Sequence, residues 1–160
     1  MTKFKKIKGT GVVIGKFYPF HLGHAYLIKT ALKNVKDLTV IVCDRKGQTI
    51  SGQLRAKWIL ENHPGVNIKV IEDVYDDDDS KTWAEKTLEW LNFIPEFVFT
   101  SEDYGDLYAH FLGSTHVLVD KNRVNFPISG RKIRRDPLNF LNYLAPNVRF
   151  YYESNLRIRG

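Results

Sequence analysis

Along the chain, short runs of β-branched and apolar residues alternate with stretches whose apolar positions recur every three or four residues. That is the pattern of strand–helix units building a parallel sheet. Residues 11–16 read as a first strand. Ala25, Leu27, Ile28, Ala31, Leu32 and Val35 share one helical face, which predicts a helix over 24–35. The run LTVIVC at 38–43 has the composition of a strand buried on both faces. Ser51-Gly52-Gln53 opens a helix that runs to His63, where Pro64-Gly65 stops it. A third strand at 66–70, a loop at 76–79 and a helix at 81–91 follow. Strands at 97–101 and 116–119, separated by a short helix around 104–111, complete five strands with their crossovers. No repeat, linker or low-complexity tract interrupts the series apart from four consecutive aspartates, so the prediction is one α/β domain.

Composition agrees with that prediction and narrows the partners. A chain of 160 residues, 43% of them hydrophobic, can bury one substantial core. The lone Cys43 rules out an internal disulfide and a cysteine zinc cluster, and fits a reducing compartment. Residues 1–10 are Lys-rich and read as a solvated basic arm ahead of a core at 11–152. The apolar run after them is broken by Gly15 and Lys16 and is too short for a signal or a membrane span, so a cytoplasmic protein without a membrane partner is expected. A formal charge of +6 and a pI near 9.4 imply an anionic partner. Lys3, Lys5, Lys6 and Lys8 fall in the arm, whereas Arg123, Arg131, Lys132, Arg134 and Arg135 crowd one short segment and mark a site. The aspartates at 76–79 lack EF-hand spacing and read as a solvated loop that caps the next helix.

Open parallel sheets bind ligands beyond the carboxyl ends of their strands, which directs attention to the turn GKFYPFHLGH at 15–24. Gly15 lets backbone approach a ligand, Pro19 stiffens the turn, and Gly23 leaves room between two imidazoles. His24 falls in the first helical turn, where unpaired backbone N–H groups and the helix dipole favour a phosphate. As a metal site the histidine pair lacks a third ligand nearby in sequence. The second constellation is VDKNR at 119–123 with PISGRKIR at 127–134. Ser129 is a good N-cap, and Arg134, a turn into that helix, can face the same phosphates. A basic helix on nucleic acid is the rival reading; missing aromatic interleaving and the separate histidine pair count against it.

These two segments resemble the H-x-G-H nucleotidyltransferases, whose second motif is usually I-S-[SGA]-T-x-I-R. The spelling GKFYPFHLGH, and the order SED, LVDKNR, PISGRKIRRDP, are most similar to the nicotinamide mononucleotide adenylyltransferase domain of NadR-type NAD-biosynthesis proteins. The likeness runs from about residue 11 to 152. It implies a Rossmann-like, doubly wound parallel sheet of about five strands with helices on both faces. Family members often add a kinase domain or a DNA-binding helix-turn-helix; with no G-x-x-x-x-G-K-[ST] loop and no room in 160 residues, neither is expected here.

The resemblance also implies a reaction: the 5′-phosphate of nicotinamide mononucleotide attacks the α-phosphate of ATP, giving NAD and pyrophosphate without a covalent enzyme intermediate. His21, His24 and Arg134 are then the catalytic residues. Gly15, Lys16, Phe17, Asp120, Arg123, Ser129 and Arg131 join them in binding ATP, and Mg2+ rides on the nucleotide rather than on a protein metal site. Trp83 matches by position a tryptophan that stacks on the nicotinamide ring in relatives, a packed core Trp on the third helix being the alternative, with Arg55 and Tyr18 as further substrate contacts. Phe17, Tyr18 and Phe20 either wall the site or pack in the core. Arg131 stands where the family usually has Thr; an added phosphate contact, a solvent-facing side chain and an altered nucleotide preference are all open. So are another acceptor (nicotinic acid mononucleotide, phosphopantetheine, FMN) and a non-catalytic nucleotide-binding regulator. Relatives that assemble make a homo-oligomer an expectation.

Overall fold

Five parallel strands form one sheet in the order β3-β2-β1-β4-β5 in a computed structural model that describes residues 3–159. β1 (Lys6–Gly15) leads through α1 (Leu22–Asn34) to β2 (Asp37–Asp44), and α2 (Gly52–Asn62) leads on to β3 (Asn67–Glu72). The chain then crosses back through α3 (Ser80–Leu91) to β4 (Ile94–Thr100) on the other side of β1, and α4 (Gly105–Leu112) connects to β5 (Thr115–Leu118). Strand order reverses between β1 and β4, so a crevice opens above their carboxyl ends.

Side chains alternate across the sheet, as strand geometry requires. Val13, Val40 and Val42 pack with Phe20, Ile28 and Ile59 on the face that α1 and α2 cover. Val12, Ile41 and Val98 pack with Ala84, Leu88, Ala109 and Leu112 beneath α3 and α4. β2 is buried from Leu38 to Cys43, as its unbroken apolar run predicts.

Two departures from the sequence reading concern the chain ends. β1 starts at Lys6, so the expected basic arm at 1–10 is too long. Lys6 to Ile7 pair with β4, and a register shift follows before Gly11, where the Gly9 N–H donates to Glu96 Oε1 at 2.8 Å. Lys6, Ile7 and Lys8 are exposed, which removes the buried face that would announce a strand. Beyond α5 (Gly130–Arg135), a 3-10 turn at Pro137–Tyr143 and α6 (Pro146–Arg159) close one face of the sheet. Periodicity hides α6 because buried Val148 and Tyr152 alternate with Phe150, which is 72% exposed. Tyr151 packs edge-on against the buried Trp58 at 5.3 Å, tying α6 to α2. Among the described residues, no helix is long and apolar enough to cross a membrane.

Candidate active site

A cleft of about 710 Å3 lies above the carboxyl ends of β1 and β4. Its centre is the turn after β1. His21 is the N-cap of α1: its Nδ1 accepts the N–H of Gly23 at 3.1 Å and of His24 at 3.4 Å, while His24 Nδ1 accepts the His21 N–H at 3.2 Å. The two imidazoles thus form a reciprocal capping box and stack with centroids 3.6 Å apart. Gly23 is required by this packing, since a Cβ there would sit 2.9 Å from His21 Cε1. The expectation that unpaired N–H groups of this helix await a phosphate is corrected here. The N–H groups of Gly23 and His24 are already bonded to an imidazole.

This arrangement fixes the chemistry of the rings. An Nδ1 that accepts a hydrogen bond carries no proton, so each neutral ring holds its proton on Nε2, and that N–H is the group left for a ligand. Burial, with Arg123 adding to it, pushes the His21 pKa down to about 3. Burial, the His21 ring and Arg123 hold His24 well below the ordinary imidazole range. At neutral pH the pair is an uncharged double N–H donor.

Cations supply the charge. α5 begins at the N-cap Ser129, whose Oγ accepts the Lys132 N–H at 3.3 Å. The helix docks directly on the first turn: Arg134 donates to the Tyr18 carbonyl, and its guanidinium lies 4.3 Å from the Tyr18 ring centroid. Gly130 makes that contact feasible, because a Cβ would collide with the same carbonyl oxygen. The two motifs, far apart in sequence, form one wall. Arg131 lines the cleft and has no hydrogen-bond or ion-pair partner among the described residues. Arg123 lines the cleft too, tied to the Ile128 carbonyl and lying 3.4 Å from Glu102 Oε1. Asp120 shapes the loop between β5 and α5 by accepting the N–H groups of Val124 and Asn125 at 2.9 and 3.1 Å.

The opposite flank is acidic and aromatic. Trp83, on α3, lines the cleft; its Nε1 donates to the Asp76 carbonyl at 2.9 Å, and Tyr75 meets it edge-on at 5.2 Å. Asp79 caps α3 by accepting the Thr82 N–H, as the acidic run predicts. Asp77 and Asp78 instead line the cleft, and Asp77 pairs with Arg45 at 3.0 Å and with Lys16 at 3.6 Å. Arg45 also holds the buried Asp73 at 2.9 Å and the Tyr75 carbonyl at 3.2 Å. Asp73 Oδ2 is buried with no hydrogen-bond partner among the described residues. Sequence reasoning missed Asp73 and Arg45. The available signal was their position just past the carboxyl ends of β3 and β2.

Gly15, Lys16, Phe17, Tyr18, His21, His24, Trp83, Asp120, Arg123, Arg131 and Arg134 all line this one cleft. Two expected residues do not. Ser129 spends its hydroxyl on the helix cap, with Ile128 and Gly130 reaching the cleft in its place. Arg55, expected to touch substrate, is fully buried beneath the floor. All its guanidinium nitrogens are committed, to the carbonyls of Lys16, Cys43, Ile50 and Ser51, to Asp44 at 3.0 Å and to Gln48 at 2.6 Å. It is a structural post under the turns after β1 and β2. Phe20 packs wholly in the core.

No family model matches the chain. It is 30% identical, over 98% of its length, to the trifunctional NAD biosynthesis/regulator protein NadR of Salmonella typhimurium, and it spans 43% of that protein. A crystal structure of NadR in complex with NAD and AMP-PNP superposes with a TM-score of 0.64 at 16% identity, covering 92% of this chain and 47% of that one. A bifunctional NMN adenylyltransferase/ADP ribose pyrophosphatase from Francisella tularensis superposes with a TM-score of 0.64 at 20% identity, covering 86% of this chain and 45% of that one. At such identities the superpositions speak to the fold alone.

Proposed function

From its relationship to the nucleotidyltransferase superfamily, which it shares with NadR, we propose that this chain transfers the adenylyl group of ATP to nicotinamide mononucleotide. An oxygen of the mononucleotide 5′-phosphate attacks the α-phosphorus, the bond to the bridging oxygen breaks, and pyrophosphate leaves with that electron pair. Such a displacement needs in-line positioning and neutralisation of spreading charge, with little acid–base work. The observation that carries the reading is the stacked histidine pair, two neutral N–H donors, in the same cleft as Lys16, Arg123, Arg131 and Arg134. The histidines meet the α-phosphate, where charge develops, and the arginines meet the β- and γ-phosphates. Magnesium enters with ATP as part of the substrate. Among the described residues no group of three or more His, Cys, Asp or Glu side chains gathers to hold a metal.

Trp83 offers an indole to the cationic pyridinium ring, an interaction of about 0.5–2 kcal/mol. Nicotinamide is favoured over nicotinic acid by charge. Asp73, Asp77 and Asp78 line that flank against two cations, Arg45 and Lys16, so a carboxylate on the ring meets net repulsion and an uncharged amide does not. The test is incubation of purified protein with Mg–ATP and, in turn, nicotinamide mononucleotide, nicotinic acid mononucleotide, phosphopantetheine and FMN. NAD formation is expected with the first, and its absence overturns the proposal.

A further inference from the structure

A hydrogen-bonded chain at the carboxyl end of β4 takes no part in the reaction described above. The His116 side chain, on β5, is 8% exposed. Its Nδ1 lies 2.6 Å from Asp106 Oδ1 and its Nε2 lies 2.6 Å from Thr100 Oγ1. Thr100 is buried and lines the cleft; its Oγ1 also stands 3.0 Å from the Glu102 carbonyl oxygen and 3.3 Å from the Glu102 N–H nitrogen. The Asp106 carboxylate accepts, which puts the His116 proton on Nδ1. The Thr100 hydroxyl bridges His116 Nε2 to the Glu102 backbone: its one proton has two acceptors in reach, Nε2 and the Glu102 carbonyl, and its oxygen faces the Glu102 N–H. The contacts join the Glu102 backbone, Thr100, His116 and Asp106 in one series, in which each bond polarises the next. Gly105 leaves the space for it: a Cβ there would collide with His116 Nε2 and lie 2.5 Å from Thr100 Oγ1.

What this chain holds is the turn at 101–104, and that turn grips the opposite loop. Glu102 Oε1 lies 3.4 Å from Arg123 Nη2, and Asp103 lies 2.9 Å from Lys121 Nζ. Arg123 in turn stands close enough to the histidine pair to depress both pKa values. We infer that Asp106, His116 and Thr100 form a positioning relay for the triphosphate, fixing Glu102 and, through Glu102, the Arg123 guanidinium beside His21 and His24. The inference rests on the proposed reading of Arg123 as a phosphate ligand. None of the three is a catalytic residue; they act on the outer side of the groups that touch ATP.

The relay separates the two substrates, which a merely structural role does not. Thr100→Val keeps the volume and removes the hydroxyl; Thr100→Ser restores it. Calorimetry on the full chain is expected to show Mg–ATP bound about fivefold more weakly by Thr100→Val and by His116→Ala, the size of one lost internal hydrogen bond. The double variant should be no weaker than either single one, Thr100→Ser should regain affinity, and the KM for nicotinamide mononucleotide should stay unchanged. In 15N-histidine spectra, His116 Nδ1 should carry a proton, whereas Nδ1 of His21 and of His24 should not. Wild-type ATP affinity in folded Thr100→Val, equal losses for both substrates, additive losses in the double variant, or a His116 Nδ1 without a proton would each overturn the relay. If His116→Ala does not fold, the Thr100 pair alone decides. Should no acceptor be turned over, the reaction reading fails while the ATP affinities still judge the relay.

Discussion

The two flanks of the cleft are built by different means. On the histidine side, four consecutive residues do most of the work: His21 caps the helix it begins, Gly23 admits its ring, and His24 returns the hydrogen bond. On the tryptophan side the ion pairs are long-range. Arg45 reaches across to Asp73, Tyr75 and Asp77, Tyr75 leans on Trp83, and Lys16 crosses from the other flank to Asp77. A site made by neighbours in sequence survives small shifts of the sheet, whereas one made by long-range ion pairs depends on the register of several strands. Arg55 lies beneath the junction of the two, bonded to the turn after β1 and to the end of β2.

Removing that post should give the largest effect. Arg55→Ala strips partners from Asp44, Gln48 and four carbonyls, and is expected to cost about 3–5 kcal/mol of stability, as for other broken buried ion pairs. Arg55→Lys should recover little, since an ammonium cannot reproduce a five-donor planar fork. Urea denaturation of the three proteins measures this. A loss below about 1 kcal/mol for Arg55→Ala would mean that water replaces the guanidinium and the flanks do not share a foundation.

The histidine flank is tested next, by His24→Ala. If its Nε2–H acts on charge that develops in the transition state, turnover should fall by about 10²–10³-fold, the range found for one preorganised donor, with Mg–ATP affinity nearly unchanged. Equal losses in both would make the residue a ground-state ligand. The same pair sets an acid limit on stability. His21 titrates near 3 in the fold and in the ordinary imidazole range when unfolded, so between those values the unfolded chain binds the extra proton. Stability from the neutral pair is therefore fully present above the unfolded pKa and is lost as pH falls toward 3. Urea midpoints at pH 7, 6, 5 and 4 should decline along that course, and His21→Ala should flatten the decline.

The same contrast explains what was legible in the sequence. The succession of strands and helices and the histidine turn follow from alternation, helical periodicity and a short motif, all carried by nearest neighbours. The helix that Ser129 caps was legible in the sequence, but the docking of Gly130 and Arg134 on the Tyr18 carbonyl spans more than a hundred residues and leaves no local trace. Arg55 misled for the opposite reason: the resemblance offered it as a substrate contact, and its buried carbonyl partners lie on other segments. Asp73 and Arg45 carry no motif, only a place just beyond strand ends. α6 escaped because an exposed phenylalanine breaks its apolar stripe.

Trp83 gives the smallest effect and the sharpest division between the flanks. Its ring is fixed at one edge by the Asp76 carbonyl and by Tyr75, with Trp90 6.3 Å away behind it. Truncation to alanine leaves the ion pairs of Arg45 in place and removes the surface on which the pyridinium stacks. The KM for nicotinamide mononucleotide should rise about tenfold, the upper part of the range for a partly desolvated cation over an indole, with ATP affinity unmoved. Trp83→Phe should recover part of the loss, because a smaller ring still offers a negative face but no Nε1–H to anchor it. If both variants raise the two Michaelis constants in step, the flanks are coupled through Lys16 and Asp77. If neither moves, Trp83 belongs to the packing beneath α3, and the acceptor must be recognised by the carboxylates alone.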